Sequence, residues 1–478
     1  MINLRYIILL SLVSSLLGTG CAKWLDVSPN TQQRRETIYQ KVDGFNSVLT
    51  GVYNIIADRN LYGEKLTWKY VSELELRYSV PPKEEASLPD RFNYDNDASR
   101  DEQEAIFKKA YYGIANINDL LDALDEYGQV VIQDVKTRDY IRGEALGLRA
   151  LLHFDLLRLW GPIYDQDPTY KSIPYRTKLS PKKLDLLPAA DVLDSIMVDL
   201  KSAEKLLAND DIQWVNNPSP RSFRMNLYAV KALLARVALW KGEVDTAYQY
   251  ANDVILHSGI TLSSSWDHDP TLSRETLFSP NVYELSKKTE YYFPPIRRNI
   301  TASSNVLKYI NLSDAEELFE TNLFGGNDIR FKDGFGFLHN GTLLVSRKMM
   351  GNSLMDAPYK ADRIPILRLA EMYLIRAETG TLPEAVADLN TLRKARGIGS
   401  SHLLVMDDNF NEEQRRHYLD KEYEKEFFTE GQWWYYLKRN YKKEFFRLPP
   451  QVKISKAVYT FPMVRPEVLH GLGQRDEY

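Results

Sequence analysis

The 478-residue chain has one cysteine, Cys21, and seven histidines, and its charges nearly cancel, with 61 basic against 65 acidic residues. Each scarcity excludes something. A lone cysteine cannot close an intramolecular disulfide, so the fold must rest on its own core, which a chain of this length can build. The histidines, at 153, 257, 268, 339, 402, 417 and 470, form no HExxH doublet, and neither a GxSxG elbow nor a phosphate-cradling GxxxxGK[ST] occurs. The two close glycines of GFGFLHNG sit in a hairpin pattern, not a nucleotide loop. Asp95 and Asp97 in YDNDASRDE hint at calcium, but the loop lacks the glycine and terminal glutamate of an EF-hand. The simpler expectation is that they and Ser99 cap a helix starting near Asp101; whether a calcium ion binds stays open. Balanced charge gives a nucleic-acid partner no electrostatic support. Carboxylate pairs for glycoside hydrolysis are a spatial property, and acids are too numerous here to nominate one. The expectation is therefore no enzyme, no cofactor and no metal.

What is present begins at the N-terminus. MINLRYIILLSLVSSLLGTG carries one positive charge at Arg5, an apolar stretch from Tyr6 to Leu17 and then small residues, the layout of a secretory signal. The apolar run is shorter than the roughly 20 residues a spanning helix needs. The run ends in the unique cysteine, and so resembles a lipobox, with Gly18 where leucine is usual. Residues 1–20 are expected to be removed and Cys21 acylated. Acyl chains contribute about 0.8 kcal/mol per buried methylene, and several on one terminus make a stable anchor without crossing the bilayer.

Helical periodicity dominates the mature chain. VDGFNSVLTGVYNIIADRN, EQEAIFKKAYYGIANINDLLDALDEYG, TRDYIRGEALGLRALLHFDLLRLWG, PAADVLDSIMVDLKSAEKLLA, NLYAVKALLARVALWKGEVDTAYQYANDVILHSG and RLAEMYLIRAETGTLPEAVADLNTLRKARG place apolar residues three and four apart. Gly242 is followed five residues on by Ala247, and Gly380 by Ala385, a pattern in which glycine closes one helix and alanine lets the next approach, as in tetratricopeptide hairpins. The fold class is mainly α: tetratricopeptide-like hairpins, long irregular loops and a minor β-hairpin. That hairpin, FGFLHNGTLLVSRK, turns at Asn340-Gly341 and is expected to be the only sizeable strand pair. Residues 21–260 and 261–478 form two halves with no compositional linker, so one shared body is expected.

The motifs in order are similar to those of the SusD/RagB-type lipoproteins. Leu25, Asp26 and Pro29 follow the cysteine, and Arg149, Ala150, Phe154, Asp155, Leu156 and Gly161 match the family's Arg-Ala to Phe-Asp-Leu to Gly helix. Asp328 and Arg330 fit its Asp-x-Arg segment. Arg368, Ala370, Glu371, Ala377 and Glu378 fit the next signature helix, which residues 389–397 follow. In the last helix Glu426, Glu430, Gly431, Leu437 and Arg439 fit, whereas Trp433 and Tyr436 replace an arginine and an aspartate. Arg368 and Glu371, at helical spacing, suggest a local pair of about 0.2 to 0.5 kcal/mol. The resemblance implies a lipid-anchored protein on the outer face of the outer membrane, capturing nutrient for a SusC-like TonB-dependent β-barrel transporter. Oligosaccharide or glycan is the leading ligand, peptide the alternative, and a helical-repeat scaffold without a small ligand the second alternative.

Aromatic residues, 12% of the chain, suggest where a ligand would sit. Trp160, Trp240, Trp433 and Trp434 lie on helices, where core or partner-facing roles are expected. Two loop stretches, 78–99 and 261–310, hold Tyr78, Phe92, Tyr94, Trp266, Tyr291 and Tyr292 among polar neighbours. Rings stack on the apolar face of a pyranose while Asn93, Arg297 and Arg298 could bond its hydroxyls. The same set would suit an extended peptide. Equally, each ring could only pin its own loop.

Overall fold

A computed structural model of the chain describes residues 35–81, 87–88, 90–180, 182, 184–210, 220–264, 269–294, 307–350 and 362–465. Cys21, Trp266, Arg297 and Arg298 lie outside these. The chain is mainly helical. Helices of eight or more residues are α1 (Val42–Ile56), α2 (Asp97–Glu126), α3 (Val135–Trp160), α4 (Ala189–Leu206), α5 (Leu227–Lys241), α6 (Val244–His257), α7 (Leu312–Phe319), α8 (Leu369–Thr379), α9 (Leu382–Ala395), α10 (Glu412–Glu426) and α11 (Gln432–Arg439).

Polar side chains set where these helices begin. Asn96 accepts from the Ser99 N–H to start α2, Asp134 from Lys136 and Thr137 to start α3, and Asn226 from Ala229 to start α5. The expectation for α2 was a start near Asp101 capped by Asp95, Asp97 and Ser99. Asn96 caps it instead, four residues earlier, and Asp95 pairs with Arg100 at 2.8 Å. The Glu384 carboxylate accepts from both the backbone N–H and the hydroxyl of Thr381 at the start of α9.

Successive helices lie side by side from α1 to α6, and α6 then packs on α8, which packs on α9. The stack thus resumes across the intervening loops, which leave it and return. Ala247 and Ala385 are fully buried at the two hairpins. Gly242 adopts the left-handed conformation, φ 81°, that closes α5. Gly380 does not: its backbone is extended, and a Cβ there would sit tightly, 3.0 Å from the Arg376 carbonyl and 3.1 Å from the Tyr248 ring.

The hairpin forms as β3 (Phe337–Asn340) and β4 (Leu343–Ser346), with Gly341 at φ 61° in the turn. It is not alone. β2 (Ile310–Asn311) adds to β4 for a three-stranded order β2-β4-β3, and β1 (Thr276–Phe278) pairs with β5 (Leu367–Arg368). These strands are two to four residues long, too short to carry an alternation a sequence window would register.

The expected Arg368–Glu371 pair is absent. β5 ends and α8 begins between them, so the two side chains diverge: Glu371 takes a bidentate bond from Arg236 at 2.6 Å, and Arg368 enters a buried ionic cluster. There Arg368, Arg396, Arg330, Arg393 and Lys348 face Glu275, Glu426, Glu422, Glu430 and Asp328, five cations against five carboxylates. Burial pushes the Glu426 carboxyl up, but Arg396 and Arg368 overcome it and hold it well below the usual range. At the two positions where the resemblance implied an arginine and an aspartate, Trp433 stacks on Tyr436 with centroids 5.1 Å apart, and the Tyr436 hydroxyl donates to Asp420 at 2.6 Å.

Candidate functional site

The two aromatic loops do meet. Ser79 and Tyr309 form an antiparallel bridge, the Ser79 N–H donating to the Tyr309 carbonyl at 2.8 Å, and the Asn311 N–H returns to the Ser79 hydroxyl at 2.9 Å. Arg447 donates to the same hydroxyl at 2.6 Å and to Asp314 at 2.8 Å, tying in the C-terminal region.

Of the five expected rings among the described residues, however, three pack against the body. Tyr78 is 2% exposed, its hydroxyl donating to the Trp68 carbonyl at 2.8 Å and its ring lying against Phe293 and Phe428. Tyr94 is buried too, bonded to the Val458 carbonyl at 2.6 Å and edge-on to Phe461. Phe92 is half-buried and stacks on Trp434. These three correct the expectation of open rings. Their loops come back onto the body, and apolar rings leave water where a packed partner exists. Asn93 is exposed, but its side-chain oxygen accepts the Asp95 N–H and so organises its own turn. The four helical tryptophans are all buried, as expected.

Two of the expected rings remain at the surface. Tyr291 is 74% exposed, and Tyr292 is half-buried, its ring resting 4.6 Å from that of Trp68. Both follow the short helix Leu285–Thr289, and the Tyr292 N–H donates to the Thr289 carbonyl at 2.9 Å. The Lys308 N–H in turn donates to the Tyr292 carbonyl at 2.9 Å. Tyr292 is therefore fixed at both backbone groups, with Trp68 beneath it. Trp68, fully buried, was not foreseen as part of the site, and in LTWKYV it carries no spacing signal that distinguishes it from any core tryptophan.

Two lysines beneath this face are paired. Lys308 bonds Glu73, and burial pushes the Glu73 carboxyl up but Lys308 and Arg91 bring it below its ordinary value. Burial would lower Lys69, yet its contacts with Glu64 at 2.8 Å and Glu102 leave it raised. No cluster of three or more His, Cys, Asp or Glu gathers as metal ligands among the described residues, and no helix among them is long and apolar enough to cross a membrane.

Two family models match the chain. Residues 23–239 match a SusD-like model described as starch-binding associating with outer membrane, and residues 332–462 match the SusD family model. The chain belongs to the SusD family. Solved structures agree in fold. A SusD superfamily protein from Bacteroides thetaiotaomicron is 22% identical with a TM-score of 0.63, covering 84% of this chain and 89% of its own. A SusD-like carbohydrate binding protein from Bacteroides vulgatus is 16% identical with a TM-score of 0.68, covering 90% and 96%. A further SusD superfamily protein from Bacteroides vulgatus is 21% identical with a TM-score of 0.67, covering 91% and 98%. No match was found among curated proteins.

Proposed function

We propose that this SusD-family chain captures oligosaccharide at the cell surface without converting it and hands it to a TonB-dependent β-barrel transporter. The observation that supports this most is the family match at both ends of the chain, one model being described as starch-binding associating with outer membrane. The binding face would centre on Tyr291 and Tyr292, an exposed ring beside one backed by Trp68. On sequence grounds alone Trp266, Arg297 and Arg298 join them. Cys21 would carry the lipid that keeps the protein at the outer membrane.

The test is isothermal calorimetry of the mature chain against maltoheptaose, other neutral oligosaccharides and a peptide library, with product analysis in parallel. Saturable glycan binding without turnover is expected. Binding of peptides alone would replace the ligand class, and turnover lost on changing one carboxylate would make the protein a hydrolase. Replacing Cys21 by serine should abolish fatty-acid labelling and release the protein from the membrane fraction; continued labelling would remove the anchor.

A further inference from the structure

A cavity of about 530 Å³, none of whose lining residues belongs to the loop face, opens where three helices end. α3 stops at Trp160, α5 at Lys241 and α11 at Arg439, and the segments that follow each of them form its walls. Its size lies within the range of small-molecule sites. Trp240, 6% exposed and held edge-on by Phe154 at 5.9 Å, forms an apolar floor, while half-buried Tyr164 and Tyr441 stand at the sides. Gln166 and Asn440, both exposed, supply amide donors and acceptors at the rim.

Charge narrows the ligand. Helix C-termini present carbonyl oxygens with partial negative charge, which attract hydroxyl donors and repel anions. The cations nearby are already committed. Lys241 holds Asp194 at 2.8 Å and Glu243 at 2.6 Å, Arg439 holds both oxygens of Glu378, and buried Lys438 donates to the carbonyls of Arg158 and Gly161. None of these three is left to bind a carboxylate or sulfate.

A second observation concerns the cavity wall. Tyr441 has φ 45°, in the left-handed region, directly after the end of α11. Its N–H donates to Lys438 and the next N–H, of Lys442, to Leu437, both at 3.0 Å, so it occupies the closing position where glycine is favoured. Folding alone would prefer glycine. A tyrosine there keeps a strained backbone, as six other non-glycine residues among those described do, and sets a ring at the cavity wall with the Lys443 ammonium 3.3 Å over it.

We propose that the cavity is a second saccharide subsite, taking the end of a neutral oligosaccharide, with its rings against Tyr441 and Tyr164 and its hydroxyls on Asn440 and Gln166. The proposal rests on the reading of the chain as a glycan binder. Calorimetry on the mature chain with maltoheptaose, xylohexaose and cellohexaose as neutral probes, and tetragalacturonate as an acidic one, tests it with Tyr441→Gly and Tyr164→Ala. Each variant should weaken a neutral probe by about 2- to 10-fold, the effect of losing one stacked ring. The loss should persist when Tyr291 and Tyr292 are both alanine. Tyr441→Gly relieves the backbone but gives up the ring's contacts with Tyr459 and Lys443, so where its melting temperature falls Tyr164→Ala decides. If a neutral probe binds and both variants keep wild-type affinity, the subsite is wrong and glycan capture stands. If no neutral probe binds the wild-type chain, the capture reading itself fails and the subsite with it. Tighter binding of tetragalacturonate, abolished by the same variants, would overturn the neutral assignment.

Discussion

The α3–α5 part of the helical stack and the ionic cluster behind the hairpin are both buried, yet they differ in what dominates: leucines with a few separate ion pairs in the first, a connected ionic network in the second. In the first, Leu148, Leu151, Leu152, Leu233 and Leu234 interlock, and α3 approaches its neighbours closely because Gly147 leaves no room for a Cβ, which would sit 2.6 Å from the Met225 side chain. It also buries charge, as separate pairs such as Arg149–Asp199 and Arg158–Asp155, while its histidine is neutral. Burial holds the His153 imidazole down at about 3, with its ring stacked on Tyr175 at 3.9 Å. In the second, five cations and five carboxylates from the turn before β1, from β5, from α9 and α10 with the residues just after them, and from the segments around the hairpin neutralise one another. The helical stack brings together long, regular faces that are registered mainly by apolar burial. The loops and short strands have no such faces, and directional ion pairs fix their positions. A buried ionic cluster of this kind adds little net stability against apolar replacement, but removing one member leaves the others charged and dry.

That difference can be broken from the ionic side first. Glu426→Ala strips a carboxylate shared by Arg368, Arg396 and Arg330 and should cost about 3 to 5 kcal/mol in urea unfolding. A cost under about 1 kcal/mol would mean that water replaces the missing charge and the cluster is not sealed. On the helical side, Leu151→Ala should cost about 2 to 5 kcal/mol, through lost transfer and a residual cavity. The two costs should respond differently to rescue. Restoring a carboxylate as Asp at 426 should not recover the first, because the bonds are short and specific, whereas Met at 151 should recover most of the second.

A pH experiment sharpens the comparison at Glu75, which sits apart from the balanced cluster. Its carboxyl accepts the Trp434 N–H at 3.1 Å, and Arg77 and Glu430 are the charges it feels. Burial pushes it up to about 8, from 4.5 when exposed. Between those values the native chain holds a proton that the unfolded chain has lost. The contribution to stability is therefore complete below about pH 4.5 and is lost as pH rises to about 8. Glu75→Gln should be more stable than the wild type by on the order of 2 kcal/mol at pH 7, with the gap closing toward pH 4.5. Parallel melting curves at all pH values would show that the carboxyl is not kept neutral. Smallest in its effect on folding is Tyr291→Ala, which should leave stability within about 0.5 kcal/mol while weakening oligosaccharide binding by about 0.5 to 1.5 kcal/mol. A lowered melting temperature with unchanged affinity would make Tyr291 a structural ring.

Much of this was legible from residues alone. Apolar spacing gave the helices of the stack, Asn340-Gly341 gave the hairpin turn, and Gly242 gave the end of α5, because each depends on a local period or a single backbone angle. Family motifs likewise placed Asp328 and Arg330, Arg149 and Glu426 at positions that turn out to hold ion pairs. Their partners were not legible: Arg368 looked paired with Glu371, three residues away, when its real partners lie 58 to 93 residues distant. Which loop aromatics stay open was undecidable for the same reason. Tyr78 and Tyr291 have similar polar surroundings in sequence, and only the meeting of the loops at Ser79 and Tyr309 buries one and leaves the other in water. Periodicity is written in neighbours along the chain; burial and charge pairing are properties of neighbours in space, and only the assembled tertiary structure supplies those.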